Sequence, residues 1–203
     1  IRTSLLEARW LLGNKELFEA FEKRFEQEAL AGTGADFVEA KLAERDARHV
    51  RMGDTRYVLE PNIKEGKGGL RDLQTLFWIA NYLYRVDDIK KLVKLEVLTS
   101  ADARQFKKAK RFLWTVRCHL HYLADRPEEH LNFNVQSEIG ARMGYRDRAA
   151  SRGVERFMKH YFLVAKEIGV LTRIICAVLE EQHKKRRSRF SLPKLSFRKV
   201  NIR

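Results

Sequence analysis

Apolar residues recur every three or four positions along most of the chain, which is the spacing of helices that bury one face. A seam of this kind near the end of the chain has alternating steps of four and three residues, typical of a helix packed in a bundle. Its members are Phe157, Tyr161, Val164, Ile168, Leu171, Ile175 and Val178. The helices that the pattern predicts cover 15–31, 36–52, 70–86, 99–125, 134–143 and 149–184. We therefore predict an all-α fold, a bundle of about six or seven helices.

Local signals mark several of the predicted helix ends. Asp36 is a candidate N-cap of the second helix, and Gly53 a candidate stop after it. Thr99 followed by Asp102 resembles a capping box with Asp in place of the usual Glu. The stretch 56–59 has strand character, and the glycine-rich segment that follows it cannot be regular structure.

The composition is that of a globular protein with a well-solvated surface, with 44% hydrophobic and 33% charged residues. No apolar run approaches the roughly 20 residues needed to span a bilayer, so we expect no membrane association and a cytoplasmic protein. Cys118 and Cys176 lie in apolar, helix-patterned segments, and we expect both to be reduced core residues. No methionine begins the sequence, which suggests a piece of a longer protein.

The formal net charge of +14 would suit an anionic partner such as nucleic acid. However, nine Lys or Arg and no Asp or Glu lie between residues 182 and 203, which leaves a net charge of +5 for residues 1–181. Most of the excess is therefore a basic tail. We interpret residues 184–203 as a basic linker to a downstream domain and disfavour nucleic acid as the main partner.

The segment 59–78, LEPNIKEGKGGLRDLQTLFW, carries the candidate chemistry. Glycines permit positive φ angles and close backbone approach, and three cations flank them just before a predicted helix N-terminus. Together they could hold a phosphate. The residues concerned are Gly66, Gly68 and Gly69 with Lys64, Lys67 and Arg71. A tight connection with Asp72 as a helix-capping group explains the same residues equally well, because the spacing is neither a Walker nor a Rossmann motif.

No metal or hydrolase site emerges from the sequence. His119 and His121 are two positions apart on a predicted helix and so point in different directions, which does not suit two ligands of one metal. No Ser or Cys nucleophile has a base at a recognisable spacing.

Three blocks of the chain carry a resemblance to a known family. They are TSLLEARWLLGN at 3–14, the run from RDARHVRMGDTRY to FWIANYLY at 45–84, and HYFLVAKEIGVLTRIICAVLEEQ at 160–182. They closely resemble bacterial PII uridylyltransferase/uridylyl-removing enzymes. A looser version of the glycine-rich block is similar to a segment of glutamine synthetase adenylyltransferase.

The resemblance implies a multidomain enzyme of nitrogen regulation that uses Mg²⁺ and UTP to modify the PII signalling protein. It implies that residues 1–14 join the nucleotidyltransferase domain to the helical domain, that 15–183 form the helical domain, and that an HD-type phosphohydrolase domain follows. The transferase's Gly-Ser motif and paired Asp-x-Asp are not in this sequence. We therefore expect the chain to support the transferase site, to hold no metal or cofactor and to be inactive alone.

Within that family, the glycine-rich segment would lie near the nucleotide or the PII protein. We predict nucleotide or substrate binding by Lys64, Gly66, Lys67, Gly68, Gly69 and Arg71. Supporting roles are predicted for Glu60, Asn62, Asp72, Glu7 and Arg9, the last two close to the transferase domain together with Thr3. The alternatives are a basic module that binds nucleic acid and a purely structural spacer.

Overall fold

The fold is all-α, as the sequence predicts. The computed structural model describes the backbone of residues 2–190 and the side chains of residues 3–178. Within these residues there are eight α-helices, one π-helical segment and no strand; two isolated β-bridges join loop residues. The helices are α1 (Arg2–Leu6), α2 (Lys15–Phe25), α3 (Gly34–Arg51), α4 (Leu70–Tyr84), α5 (Ile89–Lys94), α6 (Ser100–Ala124), α7 (Phe133–Arg142) and α8 (Gly153–Phe190). The π-helical segment Glu26–Leu30 continues α2.

The core forms where α4, α6 and α7 pack around α8, with α3 against the other side of α4. The predicted seam of α8 is confirmed from Phe157 to Ile175, since all six of its members there are at most 3% exposed. Two loop residues, Ile63 and Leu131, are fully buried and carry the connections before α4 and α7 into the same core. This continuous apolar cluster is the main source of folding free energy.

Several helix ends have the capping residues that the sequence predicts. The capping box of α6 is present: Asp102 N–H donates to Thr99 Oγ1 at 3.1 Å, and Thr99 N–H donates to Asp102 Oδ2 at 3.0 Å. Gly53 and Gly144 have positive φ angles directly after the ends of α3 and α7. The long helix α8 starts four residues later than predicted and runs to Phe190, beyond the predicted end at 184. The rest of the predicted linker, 191–203, lies outside the described residues.

Three predictions were wrong in detail, and one short helix was missed. Asp36 is not the N-cap of α3; it lies in the first turn, and the N-cap position is Thr33. Residues 56–59 form no strand, because no neighbouring segment pairs with them. Cys118 is exposed and Cys176 only partly buried, so neither is a core residue, although both are free thiols. The short helix α5 was not predicted, since six residues are too few to show a period.

The helix α2 has the predicted apolar stripe, yet it buries no residue. Leu17 is 72% exposed and Phe21 is 37% exposed, and the preceding Leu11 and Leu12 are even more open than Phe21. Aromatic contacts on this helix are made within the stripe itself. Among the described residues, the partly buried Phe25 at the end of α2 packs against the core, whereas Leu17 and Phe21 lie outside it. None of the described helices is long and apolar enough to cross a membrane.

Candidate functional site

The glycine-rich segment folds into a compact loop that uses its own polar groups. Asn62 Oδ1 accepts the N–H groups of Lys64 and Glu65 at 3.1 and 2.7 Å, and Asn62 O accepts the N–H of Gly66 at 2.9 Å. The first amides of α4 are also satisfied, because Leu70 N–H donates to Ile63 O at 3.0 Å. Amides that could have cradled a phosphate are therefore already engaged.

The three predicted glycines are required by close packing. A side chain at Gly66 would place its Cβ 2.5 Å from Asn62 O, and one at Gly69 would lie 2.9 Å from three loop carbonyls. Gly68 has a φ of +83°, and its added Cβ would lie 2.6 Å from Ala165 O in α8. The loop thus rests directly on the backbone of α8 at Gly68.

Lys64 and Arg71 share an acidic partner within the loop. Arg71 Nη2 lies 3.1 Å from Glu65 Oε1, and its Nη1 donates to Gln74 Oε1 at 3.0 Å. Lys64 Nζ lies 3.9 Å from Glu65 Oε1 and 3.9 Å from Glu129 Oε1. Both cations are roughly a quarter to a third exposed, so they stay reachable from solvent while ion-paired.

Lys67 points away from these two cations, toward the turn that follows α3. Its Nζ donates to Asp54 Oδ1 at 2.6 Å and to Asp54 O at 3.2 Å. The same contact lowers the pKa of Asp54, chiefly through the hydrogen bond from Lys67. The three predicted cations therefore lie on one loop but do not converge on one point.

Asp72 is the centre of the site and is buried, with the same 4% exposure as its partner Arg48. Its carboxylate accepts hydrogen bonds from the Arg48 guanidinium, from His49 Nε2 at 2.9 Å, and from Gly68 N–H at 2.8 Å. Burial pushes the pKa of Asp72 upward, but the hydrogen bonds from His49 and Gly68 and the charge of Arg48 outweigh it, so its pKa lies below the ordinary value. Asp72 thus forms a buried link between α3, α4 and the loop. Its predicted supporting role at the transferase site stays a prediction.

Sequence reasoning missed the partners of Asp72. The many charged residues along α3 are typical of a solvated helix face, yet Arg48 is 4% exposed and His49 is 8% exposed. A buried charge within a charged helix gives no periodic signal. The only available clue was that Arg48 and His49 precede a helix stop at Gly53 by five and four residues, close to the loop in sequence.

Two further supporting residues hold the loop ends. Glu60 Oε1 accepts the N–H of Phe133 at 2.8 Å, at the start of α7, where a carboxylate meets the positive end of the helix. Asn62 and His130 form an isolated antiparallel bridge, and Ile63 N–H donates to Glu129 O at 2.9 Å. Both residues therefore tie the glycine loop to the connection between α6 and α7.

The N-terminal candidates lie elsewhere. Glu7 lines a cavity of about 190 Å³ together with Leu70 and Gln74 of α4, on the side of the loop occupied by Arg71. Arg9 is exposed, and Thr3 is partly buried in α1. No described contact joins Thr3 or Arg9 to the glycine loop.

A larger cavity, of about 350 Å³, opens on the other side of the loop between α3 and α8. Lys67 and Asp72 of the glycine loop form part of its wall, and arginines from three separate segments form much of the rest. These arginines, Arg45, Arg56 and Arg173, were not predicted, because only the tertiary fold brings α3, the turn after it and α8 to one cavity. Among the described residues, no cluster of three or more His, Cys, Asp or Glu could hold a metal ion.

Comparison with known proteins gives the family of the chain. Residues 36–176, more than half of the chain, match the family model described as GlnD PII-uridylyltransferase. The chain is 63% identical over 202 residues to a bifunctional uridylyltransferase/uridylyl-removing enzyme of Rhodospirillum rubrum, covering 100% of this chain and 22% of that relative. It is 62% identical over 185 residues to the enzyme of the same name from Azospirillum brasilense, covering 91% of this chain and 20% of that relative.

The chain therefore spans about a fifth of the length of these curated relatives. No solved structure matches it. The match extends over both the glycine loop and the buried Arg48–His49–Asp72 cluster that holds it. The chain belongs to the PII-uridylyltransferase family.

Proposed function

We propose that the chain is the helical part of a bifunctional uridylyltransferase/uridylyl-removing enzyme of nitrogen regulation. The observation that carries this proposal is the 63% identity over the full chain to a protein of that name. In the parent enzyme, Mg²⁺ and UTP serve the transfer reaction, and the PII protein is the substrate. The chain lies between a nucleotidyltransferase domain and an HD-type domain in a cytoplasmic enzyme.

The helical part supports the transferase site and does not perform the chemistry itself. Nucleotidyl transfer needs carboxylates that hold metal ions near the phosphates. The buried carboxylate of this site, Asp72, is instead committed to Arg48, His49 and Gly68. Its role is structural, since it fixes the loop on the packed helices α3, α4 and α8.

The loop offers side chains, not amides, to a nucleotide or to PII. Lys64, Lys67 and Arg71 are 26–31% exposed and each has a carboxylate within 4 Å. A phosphate that approached Arg71 would compete with Glu65 for the guanidinium. Gly66, Gly68 and Gly69 then contribute indirectly, by permitting the tight loop that holds the cations in place. Glu7 and Arg9 form part of the region that joins the transferase domain.

The test uses the full-length parent enzyme with Arg71→Ala and, as a matched control, Arg104→Ala on the exposed face of α6. We expect Arg71→Ala to lower the rate of PII uridylylation at least tenfold, while the control keeps it. Thermal unfolding of both variants checks that the enzyme stays folded. An unchanged rate in a folded Arg71→Ala enzyme contradicts a role of the loop at the transferase site.

A further inference from the structure

The cavity between α3 and α8 is basic and is built from distant parts of the chain. Arg45 comes from α3, Arg56 from the turn after it, Lys67 from the glycine loop, and Arg173 from α8. With a volume of about 350 Å³, it is within the size range of sites for small ligands.

The acidic groups of this cavity are already paired. Both Nε and Nη2 of Arg45 donate to Asp46 Oδ1, at 2.9 and 2.7 Å. Asp54 accepts from Lys67, and Asp72 is held by the buried cluster. The carboxylates in the wall therefore leave no acidic partner for the other two arginines of the cavity.

The unusual feature of the cavity is that some of its arginine N–H groups have no strong acceptor in the described part of the chain. Nη1 of Arg45 and Nε of Arg56 are buried and donate to no oxygen or nitrogen acceptor among the described residues. Beside Asp46, the Arg45 guanidinium has, among the described side chains, only the Cys176 thiol, a weak acceptor, as a neighbour that favours its charge. Arg173 pairs with no carboxylate of the described side chains and is exposed at the cavity wall. Buried polar groups are nearly always hydrogen-bonded, and an unpaired guanidinium N–H costs free energy. An acceptor supplied from outside would remove this cost.

Gly169 of α8 leaves space for the Arg56 guanidinium at the wall of the cavity. A Cβ at Gly169, in the middle of α8, would lie 2.7 Å from Arg56 Nη2. The guanidinium therefore rests against bare helix backbone, where any other residue would displace it. Glycine in a helix interior lowers stability, by about 1 kcal/mol relative to alanine, so its presence here is explained by the approach of Arg56.

We propose that this cavity binds the phosphate group of a small molecule no larger than a nucleotide. Arginine forks match phosphate oxygens, and a phosphate offers more acceptors and more charge than a single carboxylate. Arg56 and Arg173 would contact the phosphate directly, with Arg45 Nη1 as a third donor. This site is separate from the transfer reaction proposed above and does not depend on it.

The first experiment measures binding directly, by isothermal titration of the 203-residue chain with inorganic phosphate, UMP and uridine. We expect phosphate or UMP to bind saturably and uridine not to bind. Arg56→Gln and Arg173→Gln should each weaken binding about tenfold or more, as the loss of a charge-assisted contact predicts. Arg104→Gln makes the same charge change on α6, away from the cavity, and should leave binding unchanged. This control also corrects for non-specific attraction by the basic residues 184–203.

A second variant tests the geometry without changing any charge. Gly169→Ala should displace the Arg56 guanidinium and weaken binding, while thermal stability stays equal or rises because alanine favours helix. Tighter binding of UMP than of phosphate identifies a phosphomonoester ligand, and the reverse identifies free phosphate. Absence of saturable binding overturns the proposal. So does equal binding of uridine, or an equal effect of the Arg56→Gln and Arg104→Gln variants.

Discussion

Asp72 is the residue at which three segments of the chain meet. Its carboxylate joins α3, through Arg48 and His49, to the glycine loop, through the Gly68 amide. A buried ion pair is not in itself strong evidence of stabilisation, but removing one partner leaves an uncompensated buried charge. The position of the loop therefore depends on the negative charge of the Asp72 carboxylate.

Replacing Asp72 by Asn tests this dependence with almost no change of shape. The buried Arg48 guanidinium would lose its nearest counter-charge and, among the described carboxylates, keep only the longer contact of its Nε with Glu65 Oε2, at 3.8 Å. We therefore expect Asp72→Asn to lower the free energy of unfolding by about 3 kcal/mol. Asp46→Asn, at a carboxylate whose side chain is 63% exposed beside Arg45, should cost less than about 1 kcal/mol. Urea unfolding of the three proteins measures both values. A loss at Asp72 no larger than that at Asp46 would show that the cluster does not stabilise the fold.

The pKa of Asp72 predicts how this contribution depends on pH. Because its folded-state pKa lies below the ordinary value, the ionised form is favoured in the folded protein, and the associated stability is present above about pH 4. It is lost as the pH falls through the folded-state pKa. The difference in unfolding free energy between wild type and Asp72→Asn should therefore be largest near neutral pH and shrink toward pH 3. Urea titrations at pH 7, 5 and 3 check this, and a difference that grows on acidification contradicts it.

At the residue scale, residue types and spacing predicted which positions lie together around the loop but not which contacts they make. Gly66, Gly68, Gly69 and Asp72 were selected from their types and spacing, and the structure places them in one loop. The partners of Asp72 could not be predicted, because a contact between α3 and α4 across 24 positions leaves no local pattern. The predicted binding roles of the loop residues stay predictions.

At the scale of elements, the glycine loop depends on its fit against α8. Gly68 and Gly53 both have positive φ, at +83° and +87°, but only Gly68 lies against another segment. Gly53 has no atom within 4 Å of an added Cβ, whereas Gly68 would meet the Ala165 backbone. The pair therefore separates the cost of an unfavourable φ from the cost of a clash.

We expect Gly53→Ala to lower the free energy of unfolding by about 1 kcal/mol, the cost of the left-handed backbone alone. Gly68→Ala should cost about 3 kcal/mol or more, since α8 would also have to move. Chemical denaturation of both variants provides the comparison. Equal losses would mean that the loop can lift from α8 without cost.

The cap of α6 gives a second prediction at this scale. The Thr99 hydroxyl accepts the N–H of Asp102 at the first turn, so Thr99→Ala should lower the free energy of unfolding by about 1 kcal/mol. Thr115, exposed in the middle of the same helix, is the control, because its hydroxyl donates only to the preceding turn at Arg111 O. The denaturation midpoints of Thr99→Ala and Thr115→Ala measure the two losses of stability. A larger loss at Thr115 would contradict the capping role of Thr99.

Helix existence was predictable where the apolar period was long, as in α6 and α8, and where a cap marked the start. The prediction failed for α5, because its six residues contain no repeat and the helix is stabilised by the burial of Ile89 and Leu92. The period also could not tell which apolar stripes are covered. The stripe of α8 is buried, whereas on α2 Leu17 and Phe21 are exposed to solvent.

For the whole molecule, the open stripe of α2 leads to the last prediction. A helix that buries no residue has little tertiary stabilisation, so its amides should exchange with solvent much faster than those of α6 or α8. Exposed apolar side chains such as Leu12 and Leu17 are also uncommon as a continuous surface in a complete protein. Because the chain spans about a fifth of its relatives, we expect the remaining polypeptide of the parent enzyme to cover this face.

Hydrogen exchange followed by mass spectrometry compares the 203-residue chain with the full-length enzyme. We expect peptides from α2 to be at least tenfold more protected in the full-length enzyme, while peptides from α8 up to residue 178 are equally protected in both. Leu17→Gln should remove much of that added protection without lowering the stability of the 203-residue chain, because Leu17 contributes nothing to its core. Equal exchange of α2 in both proteins would show that this face stays open in the intact enzyme. Its apolar stripe would then serve the helix alone, through contacts such as the stacked rings of Phe21 and Phe25.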